Sequence, residues 1–201
     1  MKKNKTAEKY LSQVITPKWD IIFGSLVAVG IILFLVGWGW GYYFSIPAII
    51  VGAAGFILAR SARVSDEDYL GIIDHILADN GIEKNSTRGE SVLSSFLMKG
   101  REVTRGIDKT LRSDTYCVAV FTPARNACGI KLHTVNVKEG TATTDTYTVP
   151  LTAVPALESE EVDTRFGKVT QSMLTFSGTD VKIPVDANSA DVDEVMKKFG
   201  R

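Results

Sequence analysis

The sequence predicts a membrane α-helical hairpin followed by a mainly antiparallel β domain with a C-terminal capping helix, an α+β arrangement. Three observations predict it. Residues 21–59 form a run of 39 without Asp, Glu, Lys, Arg or His. Beyond residue 101 apolar residues alternate with period two over short segments bounded by Gly, Pro, Asn and Asp. The last segment returns to helical spacing, with Val192, Val195, Met196 and Phe199 at i, i+3, i+4 and i+7.

The uncharged run is too long for one membrane pass. At 1.5 Å per residue a single helix would reach about twice the ~30 Å hydrocarbon core. Two passes with a tight turn are predicted instead, at about residues 19–36 and 44–60. Residues 37–45 alternate glycine with aromatics and end in Ser45. Trp and Tyr favour the headgroup level, so Trp19, Trp38, Trp40, Tyr42 and Tyr43 are the expected interface anchors. Pro47 suits the first turn of the second helix. Lys2, Lys3, Lys5, Lys9 and Lys18 precede the first pass, Arg60 and Arg63 follow the second, and the turn has no cation. The positive-inside rule then gives an integral protein of the cell membrane with two spans and both termini cytoplasmic. Gly24 with Ala28, and Ala48 with Gly52, are spaced for close helix approach. A hairpin buried in a soluble core is disfavoured by apolar character on all helix faces. A cleaved leader is disfavoured by the length of the run.

Four segments follow from this reading: residues 1–18 as a cytoplasmic N-terminal segment, 19–60 as the hairpin, 64–100 as a helical linker region and 101–201 as the β domain. The chain has 23 Lys+Arg and 23 Asp+Glu. The excess of lysine lies before the hairpin, so the rest is slightly acidic, which argues against nucleic-acid binding. The two cysteines, Cys117 and Cys128, lack metal-ligand or redox spacing and read as small buried hydrophobes. A turn over residues 122–127 would set Cys117 opposite a residue near Leu132.

Tyr10, Leu11 and Val14 have helical spacing, in a segment that suits either a membrane surface or a frayed terminus. Ser65, Asp66, Glu67 and Asp68 resemble a capping box, followed by the apolar stripe Leu70, Ile73, Ile76 and Leu77 and the stop Asn80-Gly81. Helix capping explains the three acids without a cation. His75 beside Asp74 and Asp79 has no nucleophile near it in sequence. Val92, Leu93, Phe96 and Leu97 fit a helix face, and a strand equally. Strands are predicted around residues 116–121, 130–137, 143–149, 162–166, 172–177 and 181–185, with a hairpin turn over Ser177, Gly178, Thr179 and Asp180. Asn188 is the expected cap of the final helix.

Val149, Pro150, Leu151, Thr152, Ala153 and Val154, then the strand pair within residues 173–185, then a helix over 186–199, together resemble the bacterial pleckstrin-homology-like domains, many of which are attached to membrane helices. The resemblance covers about residues 100–199. It implies successive strands closed by one helix. Phosphoinositide-binding members carry basic residues around their first strand pair. Lys99, Arg101, Arg105, Lys109 and Arg112 occupy that region here and are the expected contacts for anionic lipid, although Lys109 and Arg112 depart from the usual Lys-x-Arg spacing.

No grouping of nucleophile, base and orienting residue is present, so no enzyme, cofactor or metal site is expected. The expected role is a membrane-anchored cytoplasmic interaction module, binding a protein partner or sensing the inner membrane surface. The alternative is an accessory subunit of a membrane transport or secretion complex, packed through the hairpin. The expected partners are the lipid bilayer and a protein, with a homo-oligomer as a further option.

Overall fold

A computed structural model describes residues 4–13, 18–36, 41–61, 63–84 and 89–199; the side chains of residues 18, 19, 41, 42, 60 and 61 are outside the description. The chain divides into two units, one of Met1–Ser12 with Asp66–Arg201, the other of Gln13–Ser65.

The second unit holds α2 (Lys18–Val36) and α3 (Gly41–Ser61); α1 (Lys5–Ser12) belongs to the first. The two helices run antiparallel and touch backbone to backbone at glycine. A Cβ on Gly30 would stand 2.7 Å from Ile49 Cγ1, and one on Gly52 2.7 Å from Val27 Cγ2 and 3.0 Å from its amide nitrogen. Gly24, by contrast, faces open space, so only Gly52 of the predicted small-residue pairs is a contact glycine. Beyond the helices, Arg63 grips Asp20 through two bonds of 3.0 and 3.1 Å. The Gln13 side-chain amide brackets Val64, accepting from its N–H and donating to its C=O, both at 3.1 Å.

The structure corrects the predicted membrane hairpin. Among the described residues, no helix is long and apolar enough to cross a membrane. α2 starts at Lys18 and carries Asp20 in its first turn. Its uncharged remainder, residues 21–36, is about 24 Å long, short of the ~30 Å core. α3 opens on Gly-Tyr-Tyr, holds Ser45 and Pro47, and ends in Arg60-Ser61. The apolar run 46–59 is roughly 21 Å. The two-span integral placement, the cell-membrane location and the orientation derived from it are withdrawn together. The aromatic turn, with Trp38 and Trp40, lies outside the described residues. So do the side chains of Trp19 and Tyr42. Tyr43 is described and exposed.

The first unit is α+β with antiparallel sheets. It contains α4 (Asp66–Asp79), β1 (Ser91–Phe96), β2 (Val103–Arg105), β3 (Leu111–Ser113), β4 (Thr115–Pro123), β5 (Ala127–Asn136), β6 (Thr141–Pro150), β7 (Pro155–Thr164), β8 (Gly167–Phe176), β9 (Lys182–Val185) and α5 (Ala190–Lys198). The ambiguous segment around Phe96 is thus a strand. The strands form a four-stranded sheet in the order β1-β4-β5-β6, a two-stranded ribbon β2-β3, and a three-stranded sheet β7-β8-β9. Gly140 (φ 66°) and Gly178 (φ 76°) turn two of the hairpins in the left-handed region open to glycine. In the register Cys117 faces Thr134, not a residue near Leu132, because β4 continues through Pro123 and the turn shifts with it.

One core joins the two larger sheets to α5. Leu93, Phe121, Ile130, Leu174, Phe176 and Ile183 meet Val192, Val195 and Phe199. The Phe176 and Phe199 rings lie 4.7 Å apart. The helix is capped by Ser189 rather than Asn188, its side chain accepting from the Asp191 amide. A second packing centre involves α1, whose Ala7, Tyr10 and Leu11 are fully buried. Tyr10 stacks on Tyr69 of α4 at 4.1 Å, and the aromatic contacts continue through Phe96 to Tyr116. Tyr69 donates to the Ser113 carbonyl at 2.6 Å. The N-terminal residues are therefore part of the β unit.

Candidate functional site

The five cations expected to meet lipid have separate fates. Arg112, on β3, is only 5% exposed. Its guanidinium donates to both oxygens of Asp108 at 2.9 and 2.6 Å and to the Tyr10 hydroxyl at 3.2 Å, and it stands 3.5 Å from Asp66. The bond from Arg112 holds the Asp108 carboxyl well below the usual carboxylate range; the same bond raises Arg112 further. Burial raises Tyr10 above the ordinary phenol range. Asp66 also accepts the Ile107 and Asp108 amides at 3.1 and 3.0 Å, tying the β2–β3 turn to α4. Lys99 pairs with Glu160 on β7. Arg105 lies 5.4 Å from the centre of the Phe166 ring. Lys109 occupies the tip of the β2–β3 turn with φ 68°, exposed, and Arg101 is exposed in the preceding loop. Lys99, Arg101, Arg105 and Lys109 are exposed, whereas Arg112 is buried as an internal strut.

The chemistry-bearing residues of β4 and β5 do not converge. Cys117 pairs with Thr134, while His133 pairs with Val118. Strand alternation sends these side chains to opposite faces. Burial pushes the Cys117 thiol up to about 11 and raises Cys128 as well. His133 contacts the Thr144 hydroxyl through Nδ1 at 2.8 Å and is lowered by burial. Among the described residues, no three His, Cys, Asp or Glu side chains gather to hold a metal.

Two features remain as candidate sites, one in each unit. In the hairpin unit, Ile21 is 63%, Leu35 78% and Leu58 68% exposed, and further Ile, Val and Phe side chains along both helices are open. Ile21, Ile22, Phe23, Ser25, Leu26 and Val29 line a shallow apolar groove of about 400 Å³ beside the open Gly24.

In the β unit, a half-open groove of about 570 Å³ lies along the outer edge of β1. Its walls include Ser94, Ser95, Phe96, Tyr116, Gln171 and Asn188. It meets a smaller recess of about 240 Å³ at Ser94, Val185 and Asp186. Gln171, on β8 and 5% exposed, reaches across to β1. Its Nε2 donates to the Phe96 carbonyl at 2.8 Å, and its Oε1 accepts from the Met98 and Lys99 amides at 3.1 and 3.2 Å. Sequence reading missed Gln171. Its partners lie more than 70 residues away in the chain, and a single Gln in a strand carries no periodic signal.

Comparison with known proteins finds no matching family model, no similar curated protein and no similar solved structure.

Proposed function

We propose that the chain is a non-catalytic interaction module: the α2–α3 hairpin docks against an apolar helix of a partner protein, and the β unit is the body that this contact recruits. The observation that carries the reading is the exposure of Ile21, Leu35, Leu58 and their neighbours on both helices. An uninterrupted apolar surface of this kind marks an interaction site. The manner of docking follows from the hairpin itself. Its helices already pair by letting backbone meet backbone at Gly30 and Gly52. Gly24 leaves the same kind of space open on the outer side of α2, and the adjacent apolar groove suits the side chains of another helix. In this reading the protein is an accessory subunit packed through its hairpin.

The pleckstrin-homology-like reading of the β unit is part of the proposal. It is supported by the element order, in which successive antiparallel strands are followed by one closing helix laid on the core.

The test is purification of the full chain from its native source in mild detergent, with crosslinking and mass spectrometry. The reading expects a stoichiometric partner crosslinked at residues 21–29, lost in a Gly24→Leu variant that keeps the β unit folded. Two outcomes would overturn it. One is self-association alone. The other is flotation of the isolated chain with protein-free phosphatidylcholine vesicles in which the hairpin resists protease.

A further inference from the structure

The outer edge of β1 carries a second inference, which stands on the β unit alone and does not depend on the hairpin. β1 pairs on one side only, with β4. In an antiparallel strand the N–H and C=O of one residue point to the same side, and successive residues alternate. Leu97 donates to Thr115 on the β4 side. Phe96, Ser94 and Val92 therefore turn their main-chain groups outward. At Phe96 and Met98 this edge is already answered. The Gln171 amide donates to one carbonyl and accepts from the next outward N–H, as the N–H and C=O of one residue in an added parallel strand would. One step along, the outward N–H and C=O of Ser94 have no partner among the described residues, and they open into the groove where the two recesses meet.

The geometry points to this groove as a receptor for an extended, uncharged peptide segment that adds to β1 at Ser94, continuing the pairing that Gln171 begins. Charge narrows the ligand. The cation in the wall of the larger groove, Arg112, keeps one donor, Nε, without a partner, but its charge is balanced by Asp108 and Asp66, so a phosphate or carboxylate would have to compete with two carboxylates already in place. The acid in the wall, Asp186, accepts the Asn188 amide, and no second carboxylate lines the larger groove to hold a basic ligand. The remaining chemistry is neutral hydrogen bonding, from the hydroxyls of Ser94 and Ser95 and the Asn188 amide, beside the apolar Phe96, Met98 and Leu70. From Phe96 to Val92 the strand advances about 14 Å, enough for roughly four residues of an added strand. Main-chain bonds would supply affinity, and alternate side chains would face the groove and solvent.

The experiment uses the full chain and a capped, alternating threonine–valine hexapeptide as probe. Binding is followed by fluorescence anisotropy, and the Ser94 amide by NMR. The proposal expects saturable binding with a shift of the Ser94 resonance. Methylating alternate amides of the probe should weaken it at least about tenfold, the equivalent of one lost main-chain pair. Ser94→Pro, which removes the outward N–H at an edge position where proline is tolerated, should weaken it to the same degree. Ser94→Ala, which keeps the main chain, should change it less than twofold. Equal binding of the methylated probe to the native chain overturns the proposal, whatever Ser94→Pro does to folding. So does the absence of saturable binding up to about 1 mM peptide, or selective binding of a neutral tetrasaccharide in its place.

Discussion

Replacing Arg112 by Ala should be the most damaging single change in the β unit outside its apolar core. Arg112 holds three elements at once: Tyr10 from α1, Asp66 from α4 and Asp108 from its own hairpin. Its side chain is 6% exposed and that of Asp66 14%, whereas Asp108 is 46% exposed. Asp108 can therefore regain water when the guanidinium is lost; Asp66 and the Tyr10 hydroxyl keep their mutual bond of 2.7 Å, but the Asp66 charge is left without its cation in a site that is 14% exposed. Removing one partner of a buried ion pair costs about 3–5 kcal/mol, and the exposure of Asp108 places this case at the lower end, about 3 kcal/mol. In a chain of this size that lowers Tm by about 6–12 °C. Urea unfolding followed by tryptophan-independent circular dichroism gives the free energy, and a thermal scan gives the shift. Arg112→Met, which keeps most of the volume, should lose nearly as much, because the missing contacts are polar. Arg112→Lys should recover less than half, since an ammonium cannot replace the two-pronged fork on Asp108. A loss below about 1 kcal/mol for both Ala and Met would refute the claim that this cluster is a structural strut.

Gly106→Ala should disturb the same cluster from the other side, since its Cβ would fall 2.1 Å from an Arg112 nitrogen; a loss of about 1–3 kcal/mol in urea unfolding is expected. Gly52→Val should separate the hairpin helices, because the obstruction at Val27 includes its backbone nitrogen at 3.0 Å; faster amide hydrogen exchange over residues 21–36 is the readout, and unchanged protection would contradict the close packing. Cys117, with its thiol raised to about 11 by burial, should react with a maleimide at pH 7.5 only after denaturation. The Asp108 carboxyl is depressed when folded, so its contribution to stability is complete above its unfolded value of about 3.9 and disappears as pH falls below it toward the folded value. Between about pH 4.5 and 2.5 the native protein should therefore lose more stability than an Asp108→Asn variant, measured by urea midpoint.

How much of this was legible in sequence depended on the range over which each signal acts. Alternation in residues 116–121 and 130–137 announced β4 and β5, and Glu139-Gly140 and Ser177–Asp180 announced the β5–β6 and β8–β9 turns, because strand period and turn chemistry are local. The β4–β5 register missed by two residues, which preserves the face of every side chain and so leaves the apolar pattern intact. The hairpin was legible as two apolar helices, but the uncharged run was read as membrane-crossing length. Folded, that length is divided between two helices with charged or polar ends, whose apolar runs are each short of the hydrocarbon core. Within the basic segment, the burial of Arg112 was hidden for another reason. Arg112 and Lys109 look alike in a string of cations, and what separates them is Tyr10, 102 residues away. Gln171 is the same case, a side chain whose role exists only once β8 stands beside β1.

The placement of α1 in the β unit has a consequence for how the chain is made. Leu11 leaves the ribosome well before its partner, since the Arg165 side chain that donates to its carbonyl is 154 positions later. At translation rates of roughly 5–20 residues per second, α1 waits about 8–30 s for that partner. During that interval the whole apolar hairpin has emerged, and the β unit cannot close. Tyr10 can meet Tyr69 of α4 within that interval, but the Leu11 carbonyl still lacks Arg165. The order of synthesis thus gives the hairpin a head start over the β unit, so the partner proposed for it could be engaged while the rest of the protein is still unfinished.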